Sequence, residues 1–145
     1  MGDIAFNISK AKAGYYAGLP ATSDALVLVV LEASGLEDDD TLVDYDTLGD
    51  LLDSNTEQTD MGRKTLSTVT VTVDDTNDWV TIKADDVTWS SATGNATGAV
   101  VICYDPNTGT STDDDRIPLS KHDYAQTPSG SNLSQALSTG FLRIA

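Results

Sequence analysis

Residues 25–31 read ALVLVVL, seven consecutive apolar side chains of which three are valine. A run of this length and β-branched content is typical of a strand buried on both faces, because a buried helix is usually longer. A second run, AVVICY at residues 99–104, predicts another strand that lies centrally in the sheet. The two segments together predict a β-sheet as the core of the protein.

The segments between these two runs carry strand and turn signals. STVTVTVD at residues 67–74 alternates threonine with valine, and this period of two predicts a half-buried strand with its valines turned inward. The turn sequence DDTND follows, after which residues 79–83 and 87–90 predict two more short strands. These segments together indicate a meander.

Only short segments of the chain favour a helix. Asp46 is a candidate N-cap for a helix in which Leu48, Leu51 and Leu52 share one face. Residues 10–19 favour either a short helix or a loop, because glycines interrupt them. We therefore predict a mainly β fold, an antiparallel sandwich or barrel with one or two short helices, with an α+β arrangement as the alternative.

The chain length and charge restrict the organisation and the partners. A chain of 145 residues predicts one domain over residues 1–145, with residues 1–20 as a candidate extended N-terminal arm. The 23 acidic and 8 basic residues give a formal charge of -15, which argues against nucleic acid or an anionic membrane as a partner. Adaptation to high salt is an alternative cause of this acidity.

Few residues offer catalytic or metal-binding chemistry. His122 is the single histidine, which excludes paired-histidine zinc motifs, and a triad of His122, Asp123 and a serine lacks any G-x-S-x-G elbow. We therefore interpret His122 as a surface histidine in a turn and Cys103, within VVICY, as a core residue. We expect no enzymatic activity, no cofactor and no metal site.

The aspartate-rich loops carry the kind of oxygen ligand that calcium prefers. An EF-hand frame starting at Asp105 fails, because Thr110 takes the place of the turn glycine and Arg116 the place of the bidentate glutamate. A calcium site of another type in these loops stays open, although solvated charge is the favoured interpretation.

Several apolar, aromatic and basic residues are candidates for a protein interface. Terminal segments with aliphatic and aromatic anchors suit docking on a partner by strand addition, and a compact basic pair suits a local aspartate or an acidic partner. The alternative for the terminal segments is that both close the subunit's own sheet. The candidates are Ile4, Phe6, Ile8, Tyr15, Tyr16, Arg63, Lys64, Phe141, Leu142 and Ile144.

Five segments, read in order, carry a family resemblance. They are AFNISKAKAGYY, ALVLVVLEASGLEDDDTLVDYDTLGDLL, MGRKTL, DDTNDWVTI with VTWS, and CYDPNTGTSTDDDRIPLSKHDYAQTPSGS. Over nearly the whole chain, the sequence resembles small acidic virion structural proteins of tailed bacteriophages, of the head decoration (cement) or minor tail type. The resemblance implies a non-enzymatic component of the virion.

Electrostatics favours one location within such a particle. A strongly acidic subunit inside the capsid would face packaged DNA, so we expect a decoration or cement protein on the exterior of the head, made in the host bacterial cytoplasm. The expected partners are the major capsid protein or other virion proteins, and we expect a homo-oligomer, with a trimer as one candidate.

Three other functions compete with this one. A minor tail or fibre-associated protein fits the same resemblance. An acidic DNA mimic that inhibits a host DNA-binding protein would use the aspartate excess. A sugar-binding module would need Trp79 and Trp89 exposed, whereas aromatic residues in strands are more often buried.

Overall fold

A five-stranded antiparallel sheet forms the centre of the computed structural model, which describes residues 2–10 and 12–145. Strands contain 36% of the residues and helices 15%, so the fold is mainly β, as predicted. The described elements are β1 (Ile4–Ala5), a 3-10 turn (Asn7–Ser9), α1 (Ala13–Ala17), β2 (Ala25–Glu32), α2 (Asp39–Leu42), α3 (Leu48–Ser54), β3 (Lys64–Thr65), β4 (Thr70–Asp74), β5 (Trp79–Lys83), β6 (Val87–Trp89), β7 (Thr97–Asp105), a 3-10 turn (Asp113–Asp115), β8 (Ile117–Gln126), β9 (Leu133–Gln135) and β10 (Leu142–Ile144).

The large sheet has the strand order β1-β8-β7-β2-β3, which places β7 in the middle as predicted. Strand β2 is buried on both faces, because its alternate side chains point to opposite sides of the sheet. Leu26, Leu28 and Val30 enter one apolar cluster, whereas Val27 and the residues in phase with it enter the other. The prediction for residues 25–31 is therefore confirmed.

The two faces of this sheet are covered by different elements, which gives a sandwich-like arrangement. The first cluster lies between the large sheet and two smaller ones, a three-stranded sheet of order β10-β5-β4 and a β6-β9 pair, with α1 beside them. Trp89, 2% exposed, belongs to this cluster, and its indole N–H donates to the Gly62 carbonyl over 3.0 Å. The second cluster packs Phe6, Leu42 and Leu48 against the opposite face.

The predicted helix is present but begins at a different cap. Thr47, rather than Asp46, is the N-cap of α3, and its hydroxyl accepts a hydrogen bond of 3.1 Å from the Asp50 N–H. Leu48 and Leu51 are fully buried, while Leu52 is partly buried at the edge of the second cluster. Of the two alternatives for residues 10–19, the structure shows a short helix, α1.

Strand β4 is present, but the predicted inward orientation of its valines is wrong. Val71 is 38% exposed and Val73 is 65% exposed. The hairpin of β4 and β5 extends beyond the core, and only Val69, just before the strand, packs against the first cluster. The alternation correctly predicts a strand, but the apolar face of that strand is only partly covered.

No helix in residues 2–10 and 12–145 is both long and apolar enough to cross a membrane.

Candidate protein-binding surfaces

The first residues of the chain are fastened to strand β8. Ile4 pairs with Lys121 in the sheet, and the buried ammonium group of Lys121 donates to the Gly2 carbonyl and to Asp39, each over 2.8 Å. It also donates to Asp123. Burial by itself raises the pKa of Asp39, but hydrogen bonds from Lys121 and from the Gly2 N–H outweigh it and lower that pKa. Residues 1 and 11 of the predicted arm lie outside the described residues.

A serine, a histidine and an aspartate form a hydrogen-bonded row beside this contact. The Ser120 hydroxyl lies 3.1 Å from Nε2 of His122, whose Nδ1 lies 3.0 Å from the Asp3 carboxylate. The order of groups is that of a catalytic triad, but Ser120 is fully buried, so its hydroxyl is closed to a substrate. In this geometry the row holds Asp3 against β8.

The sequence prediction for His122 is wrong. It lies within β8 and is 7% exposed, so it is not a surface histidine in a turn. Its carboxylate partner is Asp3 and not its neighbour Asp123, because successive side chains of a strand point to opposite faces. Cys103 is fully buried as predicted, and burial raises the pKa of its thiol.

The basic pair is used within the subunit. Arg63 forms paired hydrogen bonds with Glu57, at 2.8 and 2.7 Å, and with Asp113, at 2.6 and 2.9 Å. Arg116 joins the same network through Asp113, at 2.6 Å. The Arg63 hydrogen bond lowers the pKa of the Asp113 carboxyl despite its partial burial. Lys64 has its ammonium group 6.0 Å from the ring centre of Trp89.

The apolar residues near the C-terminus close the chain's own sheet. Phe141 is 7% exposed and meets the His122 ring edge-on, with ring centres 6.4 Å apart. Leu142 and Ile144 belong to β10, which pairs with β5, and both pack against the first cluster.

The N-terminal candidates divide into buried and exposed side chains. Phe6 is fully buried in the second cluster, and Tyr16 stacks on Tyr104 with ring centres 4.8 Å apart. Ile8 is 40% exposed and Tyr15 is 63% exposed. Only these last two of the five N-terminal candidates present a large accessible apolar surface.

The exposed Ile8 and Tyr15 flank two lysines that sequence reasoning did not single out. Lys10 and Lys12 are exposed, and neither forms an ion pair with a described residue. No acidic residue occurs in residues 4–23, although the whole chain carries a net charge of -15. We call Ile8, Lys10, Lys12 and Tyr15 the N-terminal surface. The sequence carries one sign of this surface, which is the absence of acidic residues from positions 4–23.

The second exposed apolar region is the outer edge of β4. Val71 and Val73 are, with Ile8 and Tyr15, the large apolar side chains exposed in the described part of the chain. Next to them a shallow depression of about 400 Å³ is lined by Val73, Val80 and Ile144 together with Trp79 and three aspartates of the β4–β5 turn. Sequence reasoning missed this surface because it assigned the valines to the core.

The aromatic and acidic candidates for small ligands have structural partners. Trp89 is buried, and the guanidinium of Arg143 lies 4.0 Å from the ring centre of Trp79, so that one face of this ring is covered. Within the described ranges, no group of three or more histidine, cysteine, aspartate or glutamate side chains is arranged to hold a metal ion.

Comparisons with protein-family models, curated proteins and solved structures found no match to this chain.

Proposed function

We propose that the chain is a non-enzymatic virion structural protein, a decoration protein that binds and stabilises the outer surface of a tailed-phage head. The family resemblance of its sequence supports a role in the virion. The observation that carries the choice of a binding protein is the N-terminal surface, where two exposed apolar side chains and two exposed lysines occur within residues 8–15 of a strongly acidic chain.

The N-terminal surface has the composition of a site for another protein. The Tyr15 ring supplies rigid amphipathic contact area, and Ile8 adds apolar area beside it. The ammonium groups of Lys10 and Lys12 favour carboxylates on the partner, because no described acidic side chain pairs with them. We therefore assign the contact with the capsid shell to this surface.

The rest of the molecule suits a position on the outside of a particle. Many of its aspartates lie in loops and turns, and some of these, such as Asp114 and Asp115, are exposed to solvent. A layer of such subunits on the shell gives the particle a negative surface, which discourages aggregation. A position outside the shell also keeps the acidic chains away from packaged DNA.

The test uses purified heads of the phage that encodes this chain, prepared without it. The wild-type protein is mixed with these heads and sedimented, and the bound chain is quantified by mass spectrometry relative to the shell protein. Tyr15→Asp places a charge at the centre of the contact, and we expect it to weaken binding by roughly a hundredfold, as for the loss of an interface hot spot. Deleting residues 2–9 instead would remove Phe6 and test folding rather than binding.

The matched control is Thr88→Asp, which adds the same charge at an exposed position of β6. We expect it to bind like the wild type, at a stoichiometry near that of the shell protein. Equal binding by Tyr15→Asp would refute the assignment of the surface. The copy number is also measured by mass spectrometry in complete particles of the same phage. A few copies found only on tails would show the minor tail function, and absence from all particles would exclude a virion role.

A further inference from the structure

The outer edge of strand β4 has no hydrogen-bonding partner among the described residues. Its inner edge pairs with β5 over all five residues, from Thr70 opposite Lys83 to Asp74 opposite Trp79, without a bulge. On the other side no strand, side chain or cap bonds to the backbone of residues 70–73 in the described ranges. Monomeric proteins usually protect such an edge with proline, lysine or a bulge, and β4 has none of these.

The same strand exposes apolar side chains on one face. Val71 and Val73 project to the face that carries Ile82 and Val80 of β5, because directly opposed residues share a face. This face is buried around Ile82 but is open at Val73, which is 65% exposed. A partner strand added to β4 would continue the sheet and place its own side chains beside both valines on that face.

We propose that β4 pairs antiparallel with β4 of a second copy of this chain, about a two-fold axis through Thr72. This register aligns the whole strand with its symmetry mate and sets Val71 opposite Val73 of the other copy, so that the apolar faces are continuous. A slip by one residue would set the valine face of one copy against the threonine face of the other. The product is a six-stranded sheet of order β10-β5-β4-β4-β5-β10.

The positions of the charged residues favour a second copy of this chain as the partner of β4. In this register Asp74 of each copy lies opposite Thr70 of the other, in line with Lys83, which forms no ion pair with a described residue. Two strand spacings of about 4.8 Å separate the backbones of Lys83 and the other copy's Asp74, and the small Thr70 lies between them. The Asp74 carboxylate already accepts hydrogen bonds from the Thr76 and Asn77 N–H groups, at 3.0 and 3.1 Å, so Lys83 attracts it across this gap without a direct contact. Two such attractions between opposite charges follow by symmetry.

Like charges stay apart in the same arrangement. The Asp74 residues of the two copies lie at opposite ends of the paired strands, separated by four residue steps of about 3.4 Å. This separation exceeds the screening length of about 8 Å at physiological salt. Residues 66–73 carry no charge, so the paired segment itself adds no repulsion.

The test is sedimentation of the purified full chain over a range of concentrations in 0.5 M sodium chloride, where repulsion between the acidic subunits is screened. We expect a concentration-dependent equilibrium between monomer and dimer. Thr72→Lys sets two ammonium groups against each other on the axis and should weaken the dimer by roughly tenfold or more. Thr88→Lys, on the exposed side of the paired strand β6, adds the same charge as a control and should leave dimerisation unchanged.

A cross-linking experiment tests the register. Thr72→Cys places a thiol of each copy next to the axis, whereas the native Cys103 is buried and does not compete. With a short bis-maleimide we expect a covalent dimer in roughly tenfold higher yield than from Thr88→Cys, because pairing raises the effective concentration of the thiols. A monomer at all concentrations, a trimer, dimerisation of Thr72→Lys equal to that of Thr88→Lys, or equal cross-linking yields would each overturn the proposal.

Discussion

Phe6→Ala is the sharpest test of how the N-terminal segment is built into the fold. The Phe6 ring is fully buried in the second cluster, where it packs with α2, α3 and the large sheet. A phenylalanine side chain removes about 150–250 Å² from water, worth about 4–6 kcal/mol at 25 cal/mol per Å². The alanine methyl retains part of this and the cavity adds a cost, so we expect a loss of about 3–5 kcal/mol in the free energy of unfolding.

The assay is equilibrium unfolding in urea, followed by tryptophan fluorescence, with the denaturant slope compared between variants. A loss of this size is a large fraction of the stability of an ordinary domain, about 5–15 kcal/mol. The matched control is Ile8→Ala, two residues away and 40% exposed, which we expect to cost less than about 1 kcal/mol. A loss below about 1 kcal/mol for Phe6→Ala would show that this segment does not pack on the core in solution.

Two further predictions concern buried and partly buried charge. Lys121→Ala leaves the carboxylates around it without their cation, and we expect the free energy of unfolding measured in urea to fall by about 2–3 kcal/mol, less than for a fully buried pair because Asp123 is partly exposed. The hydrogen bond from Arg63 lowers the pKa of Asp113 below the ordinary 3.8, so its stabilisation is complete above that pH and is lost as the pH falls through the folded-state value. The stability difference between the wild type and Asp113→Asn should therefore be largest near pH 7 and narrow below pH 3.8 in urea titrations, and a difference independent of pH would contradict this.

The two proposed surfaces lie on different elements, although α1 and β4 lie close together, so each variant is assayed for both functions. Tyr15 is carried by α1, whereas Thr72 is carried by β4. We expect Tyr15→Asp to lose binding to heads and keep the dimer, and Thr72→Lys to lose the dimer while its Tyr15 remains available to the shell.

Local sequence patterns predicted the strands of the core, but they did not predict which side chains at the edge of the core are buried. Residues 25–31 form a doubly buried strand because every side chain in the run is apolar, so either face can be covered. The alternation at residues 67–74 also predicted a strand, but a period of two shows only that the two faces differ. Whether Val73 is buried depends on what packs over the hairpin, and that is a property of the tertiary structure.

No local sequence pattern predicted the polar contacts between residues far apart in the chain. The partner of His122 is Asp3, 119 residues earlier in the chain, whereas the adjacent Asp123 points to the other face. Arg63 likewise meets Asp113 across 50 residues. Spacing along the chain predicts neighbours within a helix or strand, but it does not predict which loop lies beside which strand.

By itself the sequence determined that the core is a β-sheet and that the surface is acidic, because both follow from the identity and order of nearby side chains. Only the tertiary structure decided that Phe6 is core while Ile8 and Tyr15 are surface, and that β4 keeps an open edge. The physical reason is that burial requires a second element to cover a side chain, and the choice of that element is made by contacts between residues far apart in the chain.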